Sequence, residues 1–201
     1  MANVNRPNGF SPVSTITGAN WSGQARLYYI PSTDGNAYYI GDVVKSTEGA
    51  DPTNFYQQIV KVTASPGVGP VRGVIVGFYT NISTPYQVSV PATKAQAFYA
   101  LVVDDPNVIF EVTDDGITTG NLVAAAVGQN AEFTVAAPSP ASNPVSATVL
   151  LSSSFASGNA TYPCKIVGAR ADGQNAFGAF CRWYVIFNNH ELKGGTGTVG
   201  A

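Results

Sequence analysis

The hydrophobic positions of this chain fall in short runs rich in β-branched and aromatic residues. Eleven stand out: "ARLYYI", "AYYIGDVVKS", "FYQQIVKVT", "VRGVIVGFY", "YQVSV", "AFYALVV", "VIFEVT", "AEFTVA", "VSATVLL", "CKIVG" and "FCRWYVIF". Their length and composition predict strands. Between them lie turn sequences such as "PSTDGN", "SPGVGP" and "ADGQN", where Gly, Asn and Asp tolerate a left-handed backbone and Pro presets φ. So many short strands predict an all-β domain closed as a sandwich or barrel. Helix is expected only in two connectors: residues 121–128, with Asn121 as cap and Gly128 as stop, and residues 92–98. No segment repeats at a fixed period, which argues against a solenoid or propeller.

The ends read differently. Residues 1–24 carry Pro, Gly, Asn and Ser throughout, with isolated large apolar residues and no period of 2 or 3.6. This predicts an extended N-terminal arm. Phe10, Pro12, Ile16 and Trp21 make it too apolar for a mere leader, so it should lie along its own body or a neighbour's. Residues 25–192 form the single β domain and residues 193–201 a loosely held tail.

Charge changes the picture of the surface. Charged residues are 11% of the 201, and hydrophobic residues 45%, where an average soluble domain has roughly 25% charged. Something besides water is expected to cover part of such a surface. The net charge of −2 and the scattered Lys and Arg leave no footprint for nucleic acid. No signal peptide opens the chain and no apolar run reaches membrane-spanning length, so synthesis in the cytoplasm and no membrane partner are expected. In that compartment Cys164 and Cys181 should be free thiols, with a disulfide between neighbouring strands as the alternative. The glycosylation-like triplets at Asn20, Asn81 and Asn159 are then chance.

Candidate chemistry is sparse. "DDPNVIFEVTDDG", residues 104–116, holds five of the twelve acids. A calcium loop would need Gly at its sixth position, and Phe110 or Ile109 stands there instead. The letters fit turns better: Asp105 opens a turn with Pro106 and Asn107, and Val108, Phe110 and Val112 share one strand face. A hairpin with acids at both exits, where water screens them, is the expected structure. His190 is the only histidine, so a triad or imidazole metal cluster would have to run through it; a hydrogen-bonding loop residue is expected. "GTGTVG", residues 195–200, matches a dinucleotide fingerprint in letters only, since no helix follows. No catalytic, cofactor-binding or metal residue is assigned. Adjacent aromatics, Tyr28–Tyr29, Tyr38–Tyr39, Phe55–Tyr56 and Trp183–Tyr184, predict one ring inside and one outside, the outer rings serving a protein interface or, alternatively, sugar stacking.

The succession "NRPNGFSPV", "GANWSGQARLYYIPSTDGNAYYIGDVV", "VRGVIVG", "DDPNVIFEV", "VGQN", "NAFGAF" and "NNHEL" resembles the capsid decoration, or head cement, proteins of tailed bacteriophages. The resemblance implies a β-sandwich or jelly-roll-like fold. It also implies a virion structural protein on the capsid exterior that binds the major capsid protein and itself as a homodimer or homotrimer. On that reading the arm, through Phe10, Pro12, Ile16 and Trp21, meets a neighbouring molecule. A carbohydrate-binding or host-adhesion module on the virion, and a hydrolase using the acidic hairpin, are the rival expectations.

Overall fold

The computed structural model describes residues 3–63, 69–79, 87–138, 145–155 and 159–193. In chain order the strands are β1 (Ser11–Thr15), β2 (Arg26–Ile30), β3 (Tyr38–Tyr39), β4 (Val43–Ala50), β5 (Gln57–Lys61), β6 (Gly73–Tyr79), β7 (Ser89–Val90), β8 (Phe98–Val103), β9 (Val108–Thr113), β10 (Asn130–Ala131), β11 (Phe133–Thr134), β12 (Val149–Leu150), β13 (Cys164–Ala169) and β14 (Arg182–Phe187). The chain is all-β, as its turn-punctuated runs predict. Among the described residues helix is confined to single 3-10 turns at Thr119–Asn121, Ala124–Ala126 and Ser152–Ser154.

Two units of sheet carry the fold. Strands β2, β5, β4, β6 and β8 close a barrel in that order, and β1, β9, β14, β13 and β10 form a five-stranded sheet beside it. Barrel neighbours are antiparallel except β2 and β5. Successive side chains on a strand point to opposite faces. The apolar doublets Val43–Val44, Val74–Ile75 and Val102–Val103 use this: Val44, Ile75 and Val102 enter the core inside the barrel, while Val43, Val74 and Val103 join the core shared with the sheet. The barrel strands are therefore buried on both faces over this stretch, which is why they read as continuous apolar runs. At Gly73 a Cβ would stand 2.1 Å from the Val103 carbonyl oxygen, so the close approach of β6 to β8 admits only glycine.

The predicted arm is part of this body. Strand β1 pairs with β9, placing Pro12 opposite Phe110. Phe10 is 1% exposed, its ring 5.5 Å from both Phe133 and Phe187. Its N–H donates to the Gly41 carbonyl at 3.0 Å, where a Cβ on Gly9 would fall 2.6 Å from that same oxygen. Beyond a turn the chain folds back along β1, and Trp21, half-buried against the shared core, donates its N–H to the Val13 carbonyl at 3.1 Å. Phe10 is thus a core residue held by its own chain, whereas Ile16, 56% exposed, looks outward.

Three further expectations change. Strands β8 and β9 do not form a hairpin, because β8 already has β2 and β6 on its two edges; the "DDPN" turn carries the chain from barrel to sheet. Its turn chemistry is as read: the Asn107 N–H donates to Asp105 Oδ1 at 2.9 Å and the Val108 N–H to the Asp105 carbonyl at 3.2 Å. Residues 121–128 hold no α-helix but the end of one 3-10 turn and the whole of a second, with Leu122 and Ala126 buried. Asn121 closes the first turn instead of capping a helix, and Gly128, at φ +93°, leaves the helical region. Residues 92–98 bend without helix, because Lys94 is drawn inward to the carbonyls of Asp34, Asn36 and Ala92. Both cysteines are free and buried, and burial pushes the Cys181 thiol up to about 12 and Cys164 higher still. The triplet at Asn81, the "GTGTVG" match and the tail beyond Lys193 lie outside the described residues.

Phe10→Ala should lower unfolding free energy by about 3–5 kcal/mol, the cost of emptying a core ring site. Chemical denaturation of the two proteins checks this; equal stability would mean that the segment before β1 does not belong to the core.

Candidate functional site: an uncharged aromatic face of the barrel

Beyond the stretch where Val74 and Val103 join the core shared with the sheet, the same strands carry rings. Strand alternation sends Tyr28 and Ile30 inward and leaves Leu27 and Tyr29 on the outer face of β2. On β8, Ala100 and Val102 are inside, and Tyr99 and Leu101 lie outside, half-buried. The register aligns them, with Leu27 opposite Leu101 and Tyr29 opposite Tyr99. Tyr79 of β6 stands opposite Tyr99 on the other side and is 58% exposed. The Tyr29 and Tyr99 rings are 6.0 Å apart, and Tyr56 meets Tyr99 edge-on at 5.9 Å. The strands thus present a continuous surface of rings and leucines.

The loop joining β4 to β5 extends that surface and is built around one carboxylate. Asp51, buried, accepts the Thr53 N–H at 2.9 Å, the Asn54 amide at 2.8 Å and the Tyr99 hydroxyl at 2.8 Å. These donors hold its carboxyl below the usual range against the opposing effect of burial. The Phe55 N–H donates to the Asp51 carbonyl, and the Asp51 N–H to that of Tyr56. So clamped, Phe55 sits at φ +61° with its ring 82% exposed. A non-glycine residue in that region is strained, and an apolar ring held out into water gains nothing from folding. The polar atoms beneath the rings are used inside the protein, and the rings are what the face offers.

The five acids of residues 104–116 are distributed over different jobs. Asp104 accepts the Tyr28 hydroxyl at 2.7 Å and pairs with Arg26 at 3.5 Å and Arg72 at 3.9 Å; burial and this bond push the Tyr28 hydroxyl up to about 12. Asp105 shapes its turn. Glu111 pairs with Arg170 at 3.3 Å and Arg182 at 3.6 Å on the outer face of the sheet. Asp114 accepts the Trp183 indole N–H and the N–H groups of Phe180 and Gly116, each at 2.8 Å; burial nonetheless raises its carboxyl. Asp115 accepts the N–H groups of Ile117 and Ser152. The expectation that these acids gather where water screens them fails for Asp104 and Asp114, which are 6% and 0% exposed. Sequence reasoning missed the burial because a turn acid and a buried acceptor share the same letters. Among the described residues no three His, Cys, Asp or Glu side chains are grouped as a metal site.

His190 is a buried acceptor rather than an exposed base. Its Nδ1 takes the Leu192 N–H at 3.0 Å, its ring is 2% exposed, and its Nε2 has no partner among the described residues. Of the residues expected to bind a partner, Phe10 is inside, Pro12 lies in β1, Trp21 leans on the core, and Ile16 is outward but apart from the rings. The aromatic face instead uses members of the doublets already visible in the sequence. No family model, curated protein or solved structure matches this chain.

Burial, reinforced by Lys193 and Arg72 and opposed by Glu191, pushes His190 down to about 4. A depressed folded value favours the fold above the ordinary value of about 6.5 and loses that advantage as pH falls toward 4. The stability difference between the protein and its His190→Gln variant should therefore shrink by on the order of 3 kcal/mol from pH 7 to pH 4. A difference independent of pH would contradict the assignment.

Proposed function

We propose that this protein is a non-catalytic, protein-binding component of a bacteriophage head exterior, which docks on the major capsid protein through the outer barrel face and reinforces contacts between neighbouring capsomers. The observation that carries the reading is the set of Leu27, Tyr29, Tyr56, Tyr79, Tyr99 and Leu101, none of them charged, brought together by the register of β2, β8 and β6 and extended by the exposed Phe55 ring. Contiguous exposed apolar surface marks interaction sites. Protein interfaces concentrate Tyr and Phe at their centres and deplete charge there. The outer face of the sheet differs in kind, carrying Glu111 ion-paired with Arg170 and Arg182. The choice of partner rests on the resemblance of the order of sequence segments to head cement proteins. Dimers or trimers on a shell would multiply each contact, since every further contact is effectively intramolecular.

A glycan-stacking face is the competing use of outward rings. Sugar recognition needs polar groups converging beside the rings, whereas here the Tyr99 hydroxyl and the Asn54 amide are turned to Asp51, and leucines flank the rings. That favours protein.

Replacing Phe55 and Tyr79 together by Glu should leave the far-ultraviolet spectrum and melting transition in place and reduce co-sedimentation with empty phage heads at least about tenfold, as expected for interface anchors. Undiminished co-sedimentation would reject the face. Retention on a glycan array by a protein that ignores shells would replace the reading with the carbohydrate one.

A further inference from the structure

Where residues 3–6 pass beside the loop between β13 and β14, a pocket of about 320 Å³ is lined by Asn3, Arg6, Arg170, Asp172, Gln174 and Arg182, with Val4, Asn175 and Phe180 completing its wall. Three guanidinium groups reach one small volume in a chain with ten basic residues in all. Two acids answer them: Glu111 bridges Arg170 and Arg182, and Asp172 pairs with Arg170. Arg6 is exposed and has no ion-pair partner among the described residues. The site therefore retains one net positive charge.

The frame around that charge is fixed. The Asn3 side chain donates to the carbonyls of Ala176 and Ala179 at 2.7 and 3.0 Å and accepts the Ala176 N–H at 2.9 Å. Asn175 ties the Arg170 and Arg182 backbones together, donating to both carbonyls and accepting the Arg182 N–H at 2.9 Å. Phe180 is held at φ +60°, one of two non-glycine residues with positive φ among those described. Its N–H is bound to Asp114, and its ring lies so close to Gly116 that a Cβ there would fall 2.5 Å away. Strain of this kind persists where the surroundings impose it, and it recurs at binding sites. The other such residue is Phe55, on the aromatic face.

We infer that this pocket binds a carboxylate presented by a peptide segment, an Asp or Glu side chain whose oxygens take the Arg6 guanidinium and whose stem lies against Val4 and Phe180. The planar fork of arginine matches the two oxygens of a carboxylate. A single negative charge balances the site, whereas a doubly charged phosphate would exceed it. The inference does not rest on the phage reading, since it concerns a separate surface and a charged ligand.

The test is a nuclear magnetic resonance titration of the full chain with three probes: a capped peptide containing one Glu, the same peptide with Gln, and inorganic phosphate. The Glu peptide should shift the signals of Asn3, Gln174 and Asn175 saturably. The Gln peptide should not, and Arg6→Gln should weaken the effect by roughly fivefold, as for loss of one exposed charge contact. Arg6 makes no described contact that the fold needs, so this variant should keep the parent spectrum elsewhere. Equal response to the Gln peptide, equal binding by Arg6→Gln, tighter saturation by phosphate, or no saturable shift with the Glu peptide would each overturn the assignment.

Discussion

The structure depends on a set of barrel strands that must serve two cores at once. A closed five-stranded barrel is small, and its interior is filled by Tyr28, Ile30, Tyr38, Val44, Ile59, Ile75, Val90, Ala100 and Val102. The five-stranded sheet cannot bury its inner face alone, so it uses the outside of the same strands, through Val43, Val74 and Val103. Removing any one of these valines would open the shared core without touching the barrel's interior. The two units are joined covalently between β1 and β2 and again at the Asp105 turn, and sterically at Gly9 and Gly41, where the backbones touch.

That sharing decides which surface is left over. Tyr99, Leu101 and Val103 share one face of β8, with Val74 and Tyr79 of β6 opposite Val103 and Tyr99, so the sheet covers one end of this strand pair and leaves the other end uncovered. There, while an exposed Lys45 stands on β4, β2, β6 and β8 carry Leu27, Tyr29, Tyr79, Tyr99 and Leu101. An isolated fold gains little from this. The Asp51 loop goes further and fixes Phe55 in a strained backbone to display its ring, at a cost on the order of 1–3 kcal/mol. The proposed dry protein contact would account for ring display and a charge-poor composition together.

Much of this was legible in the letters. The strands, the turns and the common face of Val108, Phe110 and Val112, though not its inward direction, follow from period 2 and turn chemistry. So does the division of Tyr28 from Tyr29 and of Trp183 from Tyr184, since neighbours on a strand must face opposite ways. What sequence could not give was pairing. Nothing in "AFYALVVDDPNVIFEV" says that β8 has both edges occupied, so a local hairpin looked natural where a crossover exists. Whether the arm lay on its own body or on a neighbour stayed open for a related reason: Phe10 stands among Pro, Gly and Asn with no period, and its burial comes from Phe133 and Phe187, more than a hundred residues away. The aromatic face was half visible, as outward rings, but its continuity needed the register of β2, β8 and β6.

An electron cryomicroscopy reconstruction of phage heads incubated with this protein tests the central claim most directly. The account predicts added density whose contact with the shell runs through β2, β6 and β8, with the Glu111–Arg170–Arg182 face of the sheet turned to solvent. Density attached by the sheet face, or heads that stay bare while the protein remains free in solution, would contradict it.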